Sequence, residues 1–97
     1  MAAKIENLVV GAGISGATMA RLLAESGESV AVIDMRDHVG GNCYDYKDDG
    51  ITTHRYGTHI FRTDSKEVWD FLSRFTKWYP YQHKVLALLD GQFVPVP

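Results

Sequence analysis

An α/β fold opening on a parallel strand–helix–strand unit is what this 97-residue sequence predicts. Three observations carry the prediction. An apolar run, Leu8-Val9-Val10, leads straight into Gly11, Gly13 and Gly16, spaced as G-x-G-x-x-G. Small residues at helical spacing follow over residues 14–26, and Gly27 ends them. A second apolar run, residues 30–33, finishes at Asp34, close to the spacing of about 20 residues at which an acid meets a ribose.

Together these form the first half of a dinucleotide-binding unit. Gly11 lets the chain turn out of the strand, Gly13 keeps side chains off a pyrophosphate, and Gly16 lets the helix pack close. The helix N-terminus aims N–H groups and partial positive charge at the phosphates. A glycine fingerprint alone is a weak signal, because glycine turns that bind nothing are common. Here the strand before it, the helix after it and the acid on the next strand all agree.

The first strand is expected over residues 4–10. Its continuous apolar end is the mark of a central parallel strand covered on both faces. On the helix, Ala17, Ala20 and Ala24, extended by Leu23, form the face expected against the sheet, while Arg21, Glu25 and Ser26 point to water. Gly40-Gly41, just past the second strand, mark a turn or a close approach of backbone to a ligand. Residues 43–50 are polar and carry the turn signal Asp48-Asp49-Gly50, and residues 51–56 form a short strand. Asp64 and Glu67 have capping-box spacing for a helix over residues 65–78. Val68, Leu72, Phe75 and Phe71 make its buried face, and Pro80 stops it. Residues 81–89 are strand-like, Asp90-Gly91 is a hairpin turn, and residues 92–96 return, Pro95 and Pro97 making them an edge strand or placing them in a loop.

Ten basic residues face twelve acidic ones, for a net charge of −2. No basic patch points to nucleic acid, and no apolar stretch is long enough to span a bilayer. One cysteine, Cys43, cannot form an internal disulfide, and the expected compartment is the reducing cytoplasm. The first residues lack the pattern of a signal peptide. Only one crossover is visible and the last residues do not return to the sheet. The expectation is therefore a single, incomplete domain over residues 1–97, the front piece of a longer protein.

Four histidines invite chemistry: His38, His54, His59 and His83. No pair has metal-ligand spacing, and one cysteine builds no zinc site, so no metal is expected. A lone histidine is ordinarily a hydrogen-bonded loop or core residue. His59 is the exception, with Gly57 beside it to admit a ligand and Ile60-Phe61 to wall a flat ring. Trp69, Phe71, Phe75 and Trp78 are assigned to core and helix surface. The glycine motif does not separate NAD from FAD; Gly40-Gly41 favours flavin, which needs backbone room on that side.

The G-G-N-x-Y-D loop of residues 40–45, the H-x-Y-G-x-H-I-F segment of residues 54–61 and the stretch over residues 81–97 resemble the N-terminal part of the UDP-galactopyranose mutase family. The resemblance runs from Leu8 to Pro97 and covers about the first quarter of such an enzyme. It implies a Rossmann-like FAD-binding domain: a parallel βαβ start, then a loop segment, a helix and a β-hairpin. It also implies an isomerase that interconverts UDP-galactopyranose and UDP-galactofuranose through a sugar adduct at N5 of reduced FAD, with no net redox change. By resemblance Gly11, Gly13, Ser15 and Gly16 hold the pyrophosphate, Asp34 the ribose, and Arg36 lies near the adenosine. Gly41 and Asn42 approach the flavin half, His59 and Ile60 pack beside the isoalloxazine, with His59 the candidate catalytic group, and His83 faces the sugar nucleotide. Asp34 stands where the family usually has Glu, Arg62 where it has His, and Thr58 where it has Pro or Ala. The arginines that grip the UDP diphosphate would follow Pro97, so residues 1–97 alone are expected to be inactive. The implied whole protein is a homo-oligomer with no nucleic-acid or membrane partner. Two other readings are a fragment of a flavin amine oxidase or desaturase, which the residue 54–61 segment opposes, and a non-enzymatic nucleotide-binding module.

Overall fold

In the computed structural model, which describes residues 4–96, the chain divides into two units, Met1–His59 and Ile60–Pro97. The first unit opens with strand β1 (Asn7–Val10), helix α1 (Ile14–Glu25) and strand β2 (Val30–Ile33). β1 and β2 pair in parallel, Asn7 opposite Val30 and Val10 opposite Ile33. This is the strand–helix–strand unit that the glycine motif predicts. β1 is shorter than residues 4–10 because side chains take over the ladder at its start. The Ser29 N–H donates to Glu6 Oε2 at 3.1 Å, and the Glu6 N–H donates to Ser29 Oγ at 3.0 Å.

Helix α1 ends where expected. Ser26 caps it, its N–H reaching the Leu22 and Leu23 carbonyls, and Gly27 carries the chain away. The face turned from solvent is Gly16, Ala20 and Leu23, whereas Ala17 and Ala24 are exposed. The alanine spacing alone does not separate the two stripes; the contact at Gly16 selects between them. β1 also differs from expectation. Val9 is half-buried, but Leu8 is 61 % and Val10 75 % exposed. Side chains alternate across a strand, and one helix covers one face of a two-stranded sheet.

A single 3₁₀ turn (Gly41–Cys43) leads into an antiparallel hairpin, β3 (Asp45–Asp48) and β4 (Ile51–His54). Residues 43–50 thus contribute a strand as well as a turn. Asp49 and Gly50 both have positive φ, +46° and +81°, the geometry that matches the twist of paired strands.

The second unit holds α2 (Lys66–Ser73) and the hairpin β5 (Val85–Leu89) and β6 (Gln92–Val96). Asp90 and Gly91 repeat the same positive-φ turn, at +48° and +77°. The α2 N-cap is Ser65, whose Oγ accepts from the Val68 N–H at 3.3 Å, rather than Asp64. Glu67 therefore sits too early for a capping box. The helix stops at Ser73 instead of residue 78. There the Ser73 hydroxyl donates to the Trp69 carbonyl and accepts from the Trp78 indole N–H, both at 2.6 Å. Trp78 folds back to stack on Phe61 and Trp69, with ring centroids 4.6 and 4.8 Å away. Aromatic stacking replaces a further turn of helix. Phe71 and Leu72 are half-buried, while Phe75 is 51 % exposed. Among the described residues no helix is long and apolar enough to cross a membrane.

Candidate functional site

The C-terminal ends of β1 and β2 carry two glycine turns that touch. Gly11 leaves β1 at φ +104°, a conformation that side chains strain, and its N–H donates to the Ile33 carbonyl at 2.7 Å. A Cβ on Gly16 would sit 1.9 Å from the Gly11 carbonyl oxygen, so only hydrogen lets the first turn of α1 rest there. A Cβ on Gly41, at φ +58°, would lie 2.9 Å from the Gly13 Cα. The loop after β2 thus meets the loop after β1 backbone to backbone. The Gly40 N–H ties them by donating to the Ala12 carbonyl at 2.8 Å. Ala12, between the turns, is only 6 % exposed and is the buried apolar residue of the described chain.

Helix α1 starts at this junction with Gly13 as N-cap, no side-chain cap and no acid in its first turn. Its first N–H groups and the positive end of its dipole are left for an anion. One cleft, of about 690 Å³, is lined by Gly11, Asp34, Arg36, Gly41 and Asn42, with Val10 and Ile33 as apolar wall. A second, of about 380 Å³, is lined by Gly13, Ser15, Gly16, Gly40 and Cys43. Val10, Gly11 and Asn42 line both, so the clefts adjoin.

Asp34 does more than the sequence foretells. Its Oδ2 accepts from the Ala12 N–H at 2.6 Å and its Oδ1 from the Arg36 N–H at 2.8 Å. The carboxylate clamps the glycine turn to the exit of β2. The Ala12 and then the Arg36 backbone bonds hold its pKa below the ordinary carboxylate value, with smaller help from the Arg36 and His38 charges. A carboxylate has about four acceptor sites, so both oxygens keep capacity for ribose hydroxyls.

Beside this clamp lies a cluster that the spacing of sequence motifs does not announce. The Arg36 Nη1 donates to Asn42 Oδ1 at 2.9 Å, and its guanidinium carbon lies 4.3 Å from the Tyr56 ring centroid. The His38 ring stacks on Tyr44, centroids 3.9 Å apart and planes 14° from parallel. His38 Nε2 is 2.7 Å from the Tyr56 hydroxyl, and Nδ1 is 3.0 Å from the Val39 carbonyl. A carbonyl only accepts, so Nδ1 donates to it, and Nε2 is left to pair with the tyrosine hydroxyl. The sequence signal for this cluster is present in the tyrosines of the G-G-N-x-Y-D and H-x-Y-G segments. Their partners become visible only in three dimensions.

Gly11, Gly13, Ser15, Gly16, Asp34, Arg36, Gly41 and Asn42 are therefore brought together on the two clefts. His59, at the end of the first unit, lines neither cleft; its Nδ1 is 2.8 Å from the Gly57 carbonyl and donates to it. Ile60 and His83 belong to the second unit, where His83 Nδ1 is 3.5 Å from the Tyr81 hydroxyl. Cys43 is free and exposed. Among the described residues no group of three His, Cys, Asp or Glu side chains is placed to hold a metal ion.

Residues 9–75 match the family model described as an NAD(P)-binding Rossmann-like domain. The chain is 48 % identical over 92 residues to dTDP-fucopyranose mutase of Escherichia coli, covering 93 % of this chain and 24 % of that protein. It is 45 % identical over 92 residues to a probable UDP-galactopyranose mutase of Klebsiella pneumoniae, with the same coverage. A shorter likeness, 50 % over 44 residues, joins it to bovine flavin-containing amine oxidase B and covers 45 % of this chain and 8 % of the oxidase. The chain spans about a quarter of the length of the mutases it matches.

Proposed function

The chain belongs to the NAD(P)-binding Rossmann-like domain family, and from its likeness to mutases we propose that it is the FAD-binding N-terminal segment of a sugar-nucleotide mutase. The reaction is the interconversion of UDP-galactopyranose and UDP-galactofuranose. The observation that carries this reading is the extent of the likeness. Mutases match along 93 % of the chain, while the amine oxidase match covers 45 %.

The residues of the first unit fit the adenosine diphosphate part of FAD. Gly13, Ser15 and Gly16 present backbone N–H groups to the pyrophosphate at the start of α1, where a Cβ at position 16 has no room, and Gly11, its own N–H spent on the Ile33 carbonyl, turns the chain beside it. Asp34 accepts the ribose hydroxyls with its remaining lone pairs, and Arg36 lies along the adenosine. Gly41 and Asn42 bring backbone toward the flavin half. His59 and Ile60 pack beside the isoalloxazine; the Gly57 carbonyl, which accepts from His59 Nδ1, orients the ring and leaves Nε2 to face the ligand. His83 faces the sugar nucleotide. Reduced flavin supplies the nucleophile for the anomeric carbon, with no net electron transfer; the protein binds, orients and excludes water.

The test uses the whole protein that carries this chain. It is expected to purify yellow, to release FAD on denaturation, and under reducing conditions to convert UDP-galactopyranose to its furanose isomer by chromatography. NAD or NADP released without flavin overturns the cofactor. Flavin release with conversion of dTDP-fucopyranose alone keeps the mutase and reassigns the sugar nucleotide, and amine oxidation without either conversion overturns the mutase.

A further inference from the structure

We propose that Tyr56, held by His38, on which Tyr44 stacks, is a positioning residue that presets Arg36 for the adenosine half of the dinucleotide. The proposal rests on the dinucleotide reading above. Arg36 is fixed at three points. Its backbone N–H is held by Asp34 Oδ1, one guanidinium nitrogen is spent on Asn42 Oδ1, and its guanidinium carbon lies over the Tyr56 ring. Tyr56 lines neither cleft, so it affects a ligand there only through what it holds.

Tyr56 is itself held. Its hydroxyl pairs with His38 Nε2, and His38 is clamped between the Val39 carbonyl and the Tyr44 ring. Tyr44 and Tyr56 flank the β3–β4 hairpin, and the Arg55 N–H joins its two stems by donating to the Tyr44 carbonyl at 3.2 Å. Arg55 also pairs with Asp37 at 3.8 Å, on the same loop as Arg36 and His38. The hairpin therefore grips the loop after β2 from two sides. A free arginine gives up much rotamer freedom when it meets a ligand, and an arginine already stacked and bonded gives up less. Arg36 still lines the larger cleft, so the residue is held where the nucleotide enters.

The test is a double-mutant cycle in the whole apoprotein, titrated separately with FAD, ADP and FMN, with thermal melts alongside. Tyr56→Leu is expected to weaken FAD and ADP by the same factor, about five- to tenfold, and to leave FMN unchanged. Tyr56→Phe, which keeps the ring under Arg36 but gives up the His38 bond, is expected to lose less than Tyr56→Leu and to fall between it and wild type. In an Arg36→Ala background, Tyr56→Leu is expected to add nothing further. An equal loss in both backgrounds, or a loss for FMN as large as for ADP, overturns the proposal, because a merely structural tyrosine behaves that way. Unchanged FAD and ADP affinity in Tyr56→Leu also overturns it, while leaving the FAD reading intact. ADP binding that follows the expected pattern without any FAD binding overturns the FAD reading and supports the positioning role. Wild-type protein that binds none of the three overturns both.

Discussion

Asp34 is the residue at which fold and ligand chemistry meet, because the same carboxylate that is assigned to the ribose fastens the glycine turn. Its folded-state pKa is depressed by the Ala12 and Arg36 N–H bonds, so the linkage has one sign. The stabilisation is complete above the unfolded value of about 3.9 and is lost as pH falls through the lower folded value. Asp34→Asn keeps the shape but replaces one acceptor oxygen with a donor, leaving one of the two backbone groups unpaired. Thermal melts are expected to show wild type the more stable at pH 7, with the gap narrowing only below about pH 4. A gap that stays constant through the acid range, or widens, refutes the clamp.

At the scale of elements, much of the architecture was legible because local chemistry decides it. Val30–Ile33 between Gly27 and Asp34 is a strand, and both Asp-Gly pairs adopt the one hairpin turn that suits them. Contacts between elements were not legible. Two stripes of small residues run along α1, and what selects between them is the Gly11 carbonyl under Gly16, a distance that no spacing encodes. The end of α2 is set by Trp78 returning to Ser73 and Trp69, which overrides a helical pattern that continues to residue 78. The candidate site divides the same way: the glycines, Asp34 and Arg36 announce themselves, while the Tyr44–His38–Tyr56 clasp joins residues far apart in sequence. The start of α2 gives a direct check. Asp64 and Ser65 are neighbouring capping residues by type, but Ser65 makes the bond. Ser65→Ala is expected to cost about 0.5–1 kcal/mol and Asp64→Ala much less, by chemical denaturation. The reverse order would return the cap to Asp64.

For the whole molecule, the dominant fact is how much apolar surface each unit leaves open. In the first unit Leu8, Val10 and Ile33 are half or more exposed; in the second, Leu88 and Phe93 are likewise open. Patches of this kind seek a partner. The 97-residue chain alone is therefore expected to associate as its concentration rises, and to convert no sugar nucleotide. Leu8→Thr with Val10→Thr keeps strand propensity and removes apolar area from β1. Sedimentation velocity is expected to show less association for this variant with little change in its melting temperature, and equal association would place the sticky surface elsewhere. The β3–β4 hairpin carries a different consequence, for anyone who wishes to transplant this nucleotide grip. Cut at Asn42, a graft would include every glycine of the fingerprint and both charged side chains, yet would leave behind the tyrosines against which the arginine and histidine lean. The smallest portable cassette in this chain ends beyond Tyr56.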